Sequence, residues 1–356
     1  MASTMLAVGT TKGVFLYRSN ESRDHWTREG PFLPGWEISA LHLTPEQITI
    51  GTAHYAYGAT LRTSTDGGAN WNQPDGQPKH PEGSEVKTKR VWQIASGHSS
   101  EPNTLLCGLD EAALFVSRDR GNTWAGVEAI NAHPTRSKWF PGAGGLCLHT
   151  IVADHSNPQR MWIGISAAGV FGTTDGGASW RSMNAGIKPL NTGSDDDAVA
   201  HCVHKMVQHP TDPNTLYMQF HGGLYRSTDG GENWTACENG VHSNFGFPMV
   251  ITRAGELFIV PLQADLTRFF TDGKVLVYKS TDGGGSWTAK SKGLPQTGAF
   301  SGVLRDAMAV DSHATPGVYF GTTSGDVFAS NDAGESWMRL PGTLPRVLTV
   351  RALAQT

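Results

Sequence analysis

Three histidines, His149, His204 and His221, are the side chains of this sequence best suited to chemistry at neutral pH. Imidazoles take up and release protons there, and three neutral ones can hold zinc or copper with a position left for water. His149 and His204 each follow a cysteine by two residues, Cys147 and Cys202. In a strand such residues face the same way, so each pair can present a sulfur beside a nitrogen; a buried cysteine otherwise serves as a small hydrophobe. The carboxylates Glu37, Asp110, Glu111 and Asp306 are candidates for acid–base work on a glycosidic bond. Arg90, Arg305 and Arg346 can neutralise a substrate carboxylate, Trp92 offers a face for a sugar ring to stack on, and His54 adds a polar group at the same end. The ordinary alternatives are solvated rim charges and histidines bonded to water or loop backbone.

What positions these residues is a repeat. An eight-residue motif, Ser-x-Asp-x-Gly-x-x-Trp, is intact as STDGGANW, SRDRGNTW, TTDGGASW, STDGGENW, STDGGGSW and SNDAGESW, ending at Trp71, Trp124, Trp180, Trp234, Trp287 and Trp337. A worn copy, SNESRDHW, ends at Trp26, with Glu21 in the Asp place and Arg23 in the Gly place. Successive tryptophans are 45, 53, 56, 54, 53 and 50 residues apart, the length of a four-stranded blade. The sequence therefore predicts an all-β fold, a seven-bladed β-propeller of four-stranded antiparallel blades occupying 1–356 as a single domain. Two strands precede the first motif (5–9 and 14–18) and one spare strand follows the last (346–354), so the C-terminal strand is expected to complete blade one and close the ring. The motif Asp is expected to accept backbone N–H groups inside a hairpin turn, with Gly at a positive-φ place; seven equal copies mark scaffold, not catalysts.

The motifs lie at one end of each blade, and the long connecting segments 131–145, 184–200, 241–246 and 263–274 lie at the other. Long loops commonly carry function, so that second end is the expected working face. Aligning the starts of the innermost strands puts Trp92, His149, His204 and Asp306 in equivalent places around a channel mouth. Glu37, Arg90, Cys147, Cys202 and Leu304 come two residues earlier, and the opposing turns add His54, Asp110, Glu111 and His221. The candidate catalytic set is His149, His204, His221 and Asp306. Arg90, Trp92, His54, Glu111, Glu37, Arg305 and Arg346 are candidate binding groups, and His149, His204 and His221 the candidate ligands of a zinc or copper ion. The aromatics Trp36, Trp139, Tyr55 and Phe245 can stack on sugars or pack under loops. The acidic run Asp195-Asp196-Asp197 lacks the spacing of a calcium loop and reads as a solvated acidic segment. His155 and His209 sit beside outgoing turns and read as turn hydrogen-bonders.

Bulk properties narrow the partners. A net charge of −4 gives no basic surface for nucleic acid or an anionic membrane. No apolar run reaches the ~20 residues of a membrane helix, and the N-terminus alternates like a strand rather than a leader, which points to the cytoplasm. Four cysteines without a Cys-x-x-Cys suit neither a disulfide framework nor a zinc ribbon.

The motifs resemble the Asp-box (BNR) repeats of sialidases, sortilin-type receptors, xyloglucan-cleaving glycosidases and the photosystem II assembly propeller, over essentially the whole chain. The chain is most similar to bacterial single-propeller proteins of the sialidase-like, glycosyl-hydrolase kind. It departs from a true sialidase in lacking an early Phe/Tyr-Arg-Ile-Pro motif, and from the xyloglucan enzymes in having one propeller rather than two. The expected function is a hydrolase or lyase acting on a carbohydrate-like or anionic small molecule. The competing expectation is a non-catalytic platform that uses the same face for a protein partner or cofactor.

Overall fold

The computed structural model describes residues 3–84, 86–190, 198–264 and 266–355. The chain is a seven-bladed β-propeller built from seven small sheets. In blade one the order is Val347–Ala354, Thr4–Thr10, Gly13–Ser19, Trp26–Phe32, so the last strand pairs with the first, Leu6 opposite Ala352 and Val8 opposite Val350. Both faces of the two strands Thr4–Thr10 and Gly13–Ser19 are covered: every residue of the first and the first five of the second are buried, as in strands packed between neighbouring sheets. Blade two has three strands, Glu37–Leu43, Ile48–His54 and Gly58–Ser64. Its expected fourth strand shrinks to a single bridge, Thr63 to Asn72, because Pro74 and the following turn residues cannot continue a ladder. Among the described residues no helix is long and apolar enough to cross a membrane.

Two compact units divide the chain: Met1–Ile48 with Ser64–Asn70 and Cys237–Thr356, and Thr49–Thr63 with Trp71–Ala236. The first has a core running through Leu6, Phe258, Phe320 and Val350 and including Trp26 and Trp337. The second has two clusters, one around Ile163, Phe171 and Trp180, the other around Met218, Phe220 and Trp234.

The six intact boxes share one hydrogen-bond plan. The Ser or Thr hydroxyl donates to the Asp at 2.7–2.8 Å and accepts the N–H of the box glycine at 2.8–3.0 Å. The same Asp oxygen accepts the N–H four residues on at 2.9–3.0 Å. In every box that glycine has positive φ, from 83° at Gly334 to 99° at Gly68. These bonds favour the ionised carboxylate: the Asn70 N–H and amide, and the Ser179 and Ser286 hydroxyls, hold Asp66, Asp175 and Asp282 at about 2. A depressed folded-state value stabilises the fold above the unfolded carboxylate value near ~4 and loses that contribution as pH falls toward 2. The melting temperature is accordingly expected to hold from pH ~6 to ~4 and then drop steeply. A melt series that stays flat below pH 4 would refute this role for the boxes.

In the worn box Arg23 takes the glycine place at φ 54°, and Asn20 replaces the aspartate as acceptor of the Asp24 and His25 N–H groups. The Ser19 hydroxyl turns instead to the Thr4 N–H at 2.8 Å.

Candidate functional site

The innermost strands of blades three, four and five, Val91–Ser96, Leu148–Ala153 and Val203–Gln208, belong to the second unit, and the middle one contacts both others. Each begins with the same irregularity. Pairing runs from Val91 to Leu109 and resumes at Gln93 with Gly108, skipping Trp92; it likewise skips His149 between Leu148 and Thr150, and His204 between Val203 and Lys205. Each skipped residue is the extra member of a β-bulge, a device that re-aims a side chain and recurs beside functional sites. Just before each bulge a carbonyl accepts the N–H of the residue leaving the neighbouring strand: Arg90 from Asp110 at 3.4 Å, Cys147 from Ser166 at 2.9 Å and Cys202 from His221 at 3.0 Å. Three blades thus place three residues alike: Arg90, Trp92 and Asp110; Cys147, His149 and Ser166; Cys202, His204 and His221. All lie at the ends of their sheets opposite the Asp boxes, as the strand directions require.

In blade five the Cys202 sulfur and one ring nitrogen each of His204 and His221 lie within 4.8 Å of one another. The two imidazole centroids are 5.3 Å apart with planes at 72°. His204 is buried, while Cys202 and His221 are half-buried. The Ser166 hydroxyl of blade four reaches to 3.8 Å from the Cys202 sulfur. Two of the three expected histidine ligands are in this group, and among the described residues the third atom that comes together with them is the Cys202 sulfur. His149 is wholly buried, its Nδ1 3.0 Å from the Thr150 hydroxyl. In blade four the place of His221 is held by Ser166.

In blade three Arg90 lies over the Trp92 indole at 5.0 Å, and Asp110 accepts the Lys89 and Arg90 N–H groups at 3.0 and 2.9 Å. Asp110 is therefore engaged in shaping the turn. Glu111 is half-exposed, 3.8 Å from the Lys89 ammonium, and its carbonyl accepts from Arg136. His54 stacks on Tyr55 at 4.6 Å and Tyr57 at 4.9 Å, and both tyrosines stand in solvent, 99% and 73% exposed. Trp139 is packing, stacked on His133 and against Phe171.

The remaining candidates belong to the first unit. Asp306 is bound to Arg351 at 3.0 Å, and its carbonyl accepts the Val350 N–H at 2.8 Å, so it ties the start of blade seven to the closing strand. Glu37 opens its strand half-buried, Arg305 is half-buried, and Arg346 is exposed with its carbonyl accepting the Thr11 N–H at 3.1 Å. Sequence reasoning passed over His42, which burial and then the Arg351 charge hold down to about 4, hence neutral at physiological pH. His155 and His209 do serve turns: His155 Nε2 is 3.1 Å from the His209 carbonyl, and the Asp212 N–H donates to His209 Nδ1 at 3.1 Å. The run Asp195-Asp196-Asp197 lies outside the described residues.

The model of the BNR/Asp-box repeat matches residues 225–236. Over 308 residues, 81% of the chain, the sequence is 24% identical to a xyloglucanase of Paenibacillus sp.. The chain spans 25% of that enzyme's length. Among solved structures it is similar to an ancestral GH74 enzyme, with a TM-score of 0.56, 18% identity, and 85% of this chain and 38% of the other covered. It is also similar to YCF48 bound to D1 peptide, with a TM-score of 0.55, 14% identity, and 88% and 89% covered. These structural likenesses concern the fold.

Proposed function

Because the chain is an Asp-box (BNR) repeat β-propeller homologous to xyloglucanases, we propose that it is a carbohydrate-acting enzyme, a hydrolase or lyase, working at the ends of blades three to five opposite the boxes. The observation that carries this reading is the repeated bulge, which sets Trp92, His149 and His204 at equivalent places on neighbouring strands. Trp92, backed by Arg90, offers a face for a sugar ring and a cation for a sugar acid. His204 and His221 are the proton carriers. In hydrolysis one protonates the leaving glycosidic oxygen while the other takes the proton of the attacking water; in elimination one removes the proton beside a uronate carboxylate and the other protonates the leaving oxygen. His54 with Tyr55 and Tyr57 extends the binding surface, and Glu111 lies at its edge.

Turnover is tested on xyloglucan oligosaccharides, other glucans and uronate oligosaccharides, read as new reducing ends for hydrolysis or unsaturated uronate for elimination. His204→Ala is expected to lower kcat by about 10²–10⁴-fold, and Trp92→Ala to act mainly on KM. No turnover and no sugar-induced melting shift on any of these substrates would overturn the reading. The platform reading, favoured by the likeness to peptide-bound YCF48 and by the exposed Tyr55–His54–Tyr57 stack, would then stand.

A further inference from the structure

We propose that Cys202, His204 and His221 form a binding site for one thiophilic transition cation, Zn²⁺ or Cu⁺. The donor set is one thiolate and two imidazoles, which suits these ions and disfavours Mg²⁺ or Ca²⁺, whose ligands are oxygens. Tetrahedral zinc with such ligands needs donor atoms about 3.3–3.6 Å apart. Going from the observed limit of 4.8 Å to that spacing asks for shifts of roughly an ångström at the ligand atoms, a distance that rotation about the side-chain bonds of Cys202 and His221 can cover. The backbone is already fixed: the Cys202 carbonyl and the His221 N–H are bonded at 3.0 Å, and the bulge holds His204 between them. The two half-buried ligands can close on an ion while the buried His204 stays in place, and their exposure leaves the fourth position to water or a substrate oxygen. The Ser166 hydroxyl, 3.8 Å from the sulfur, is a ready donor to the thiolate, the outer contact that metal ligands commonly have.

The chain supplies its own control. Blade four repeats the cysteine, the bulge and the histidine as Cys147 and His149 but has Ser166 where blade five has His221. Among the described residues only the blade-five group brings three such ligand atoms together. The inference stands on that geometry and competes with the proton-carrying roles given above to His204 and His221, since a nitrogen bound to an ion cannot carry the proton; with the ion in place its bound water would take that part.

The test uses the full chain, stripped with a chelator and then titrated with Zn²⁺, Co²⁺ or, under reducing conditions, Cu⁺. One equivalent of Zn²⁺ should bind, and Co²⁺ should produce a thiolate-to-metal charge-transfer band. Cys202→Ser should abolish the band and weaken Zn²⁺ by about a hundredfold or more, since even outer-shell partners are worth 10–100-fold. His221→Gln, at a half-buried place, is a second variant with the same expected loss. Cys147→Ser and His149→Ala should keep both band and stoichiometry. Competition between Zn²⁺ and Cu⁺ assigns the ion. Failure to bind near one equivalent of either ion, or a cobalt band that survives in Cys202→Ser, overturns the proposal.

Discussion

Replacing Arg23 by alanine is expected to destabilise the fold by about 3–5 kcal/mol, because it leaves a buried carboxylate without its cation. Asp311 is wholly buried, and the Arg23 guanidinium meets it at 2.9 Å with its own side chain only 9% exposed. The same guanidinium donates to the Thr315 carbonyl at 2.9 Å, so it bridges the worn box of blade one to the turn of blade seven. Asp311 also accepts from the Tyr319 hydroxyl at 2.7 Å, the Gly317 N–H at 2.8 Å and the Thr4 hydroxyl at 3.2 Å. Burial and the Asp311 charge push the Tyr319 phenol up, which keeps it a donor. These neutral donors remain in Arg23→Ala but cannot offset a full charge. Arg23→Lys should lose less, since it keeps the charge but not the planar fork. The double variant Arg23→Ala with Asp311→Asn should recover part of the loss, as contacting residues are not additive. Urea unfolding checks all three. A loss below about 1 kcal/mol for Arg23→Ala would mean that the pair does not hold blades one and seven together.

This clasp shows where sequence reading reaches and where it stops. Arg23 was visible as a substitution in the glycine place, yet nothing along the chain reports that its head finds Asp311, 288 residues away. The blades themselves were legible, because the boxes are local hairpins whose bonds span four residues and repeat. The equivalence of Trp92, His149 and His204 was legible too: aligning the starts of the inner strands works for blades three to five because all three carry the same bulge. His204 and His221 were named together; that Cys202 lies with them was harder to see. Each Cys-x-His pair was read as a sulfur beside a nitrogen, and in blade five that pair is joined by the turn residue His221 of the same sheet. Asp306 shared the alignment but not the environment, since Arg351 of the closing strand takes its charge. Register can be read from alternation; which charge meets which is decided by packing between segments far apart in sequence.

Gly293→Ala should cost about 3–4 kcal/mol, well beyond what its backbone angle alone predicts. Gly293 has φ 88°, and a Cβ there would lie 2.1 Å from the Trp337 carbonyl oxygen. The close approach exists because the Trp337 N–H donates to the carbonyl of the preceding Lys292 at 2.9 Å, joining the segment after one box to the tryptophan of the next. The same stitch recurs at Gly186 against Trp234 and at Gly240 against Trp287, with a Cβ 2.2 and 2.7 Å from the tryptophan carbonyl and φ of 85° and 95°. In each the preceding carbonyl accepts the tryptophan N–H, Ala185 at 2.9 Å and Asn239 at 3.0 Å. Gly35 separates the two effects: its φ is 90°, but a Cβ would meet nothing within 4 Å. Gly35→Ala should therefore cost only the torsional penalty, about 1–2 kcal/mol. The difference of roughly 2 kcal/mol, read from paired urea titrations, measures how tightly successive blades are stitched. Equal losses at Gly293 and Gly35 would show that the segments can move apart to admit a methyl group, and that the blades are held by their apolar faces alone.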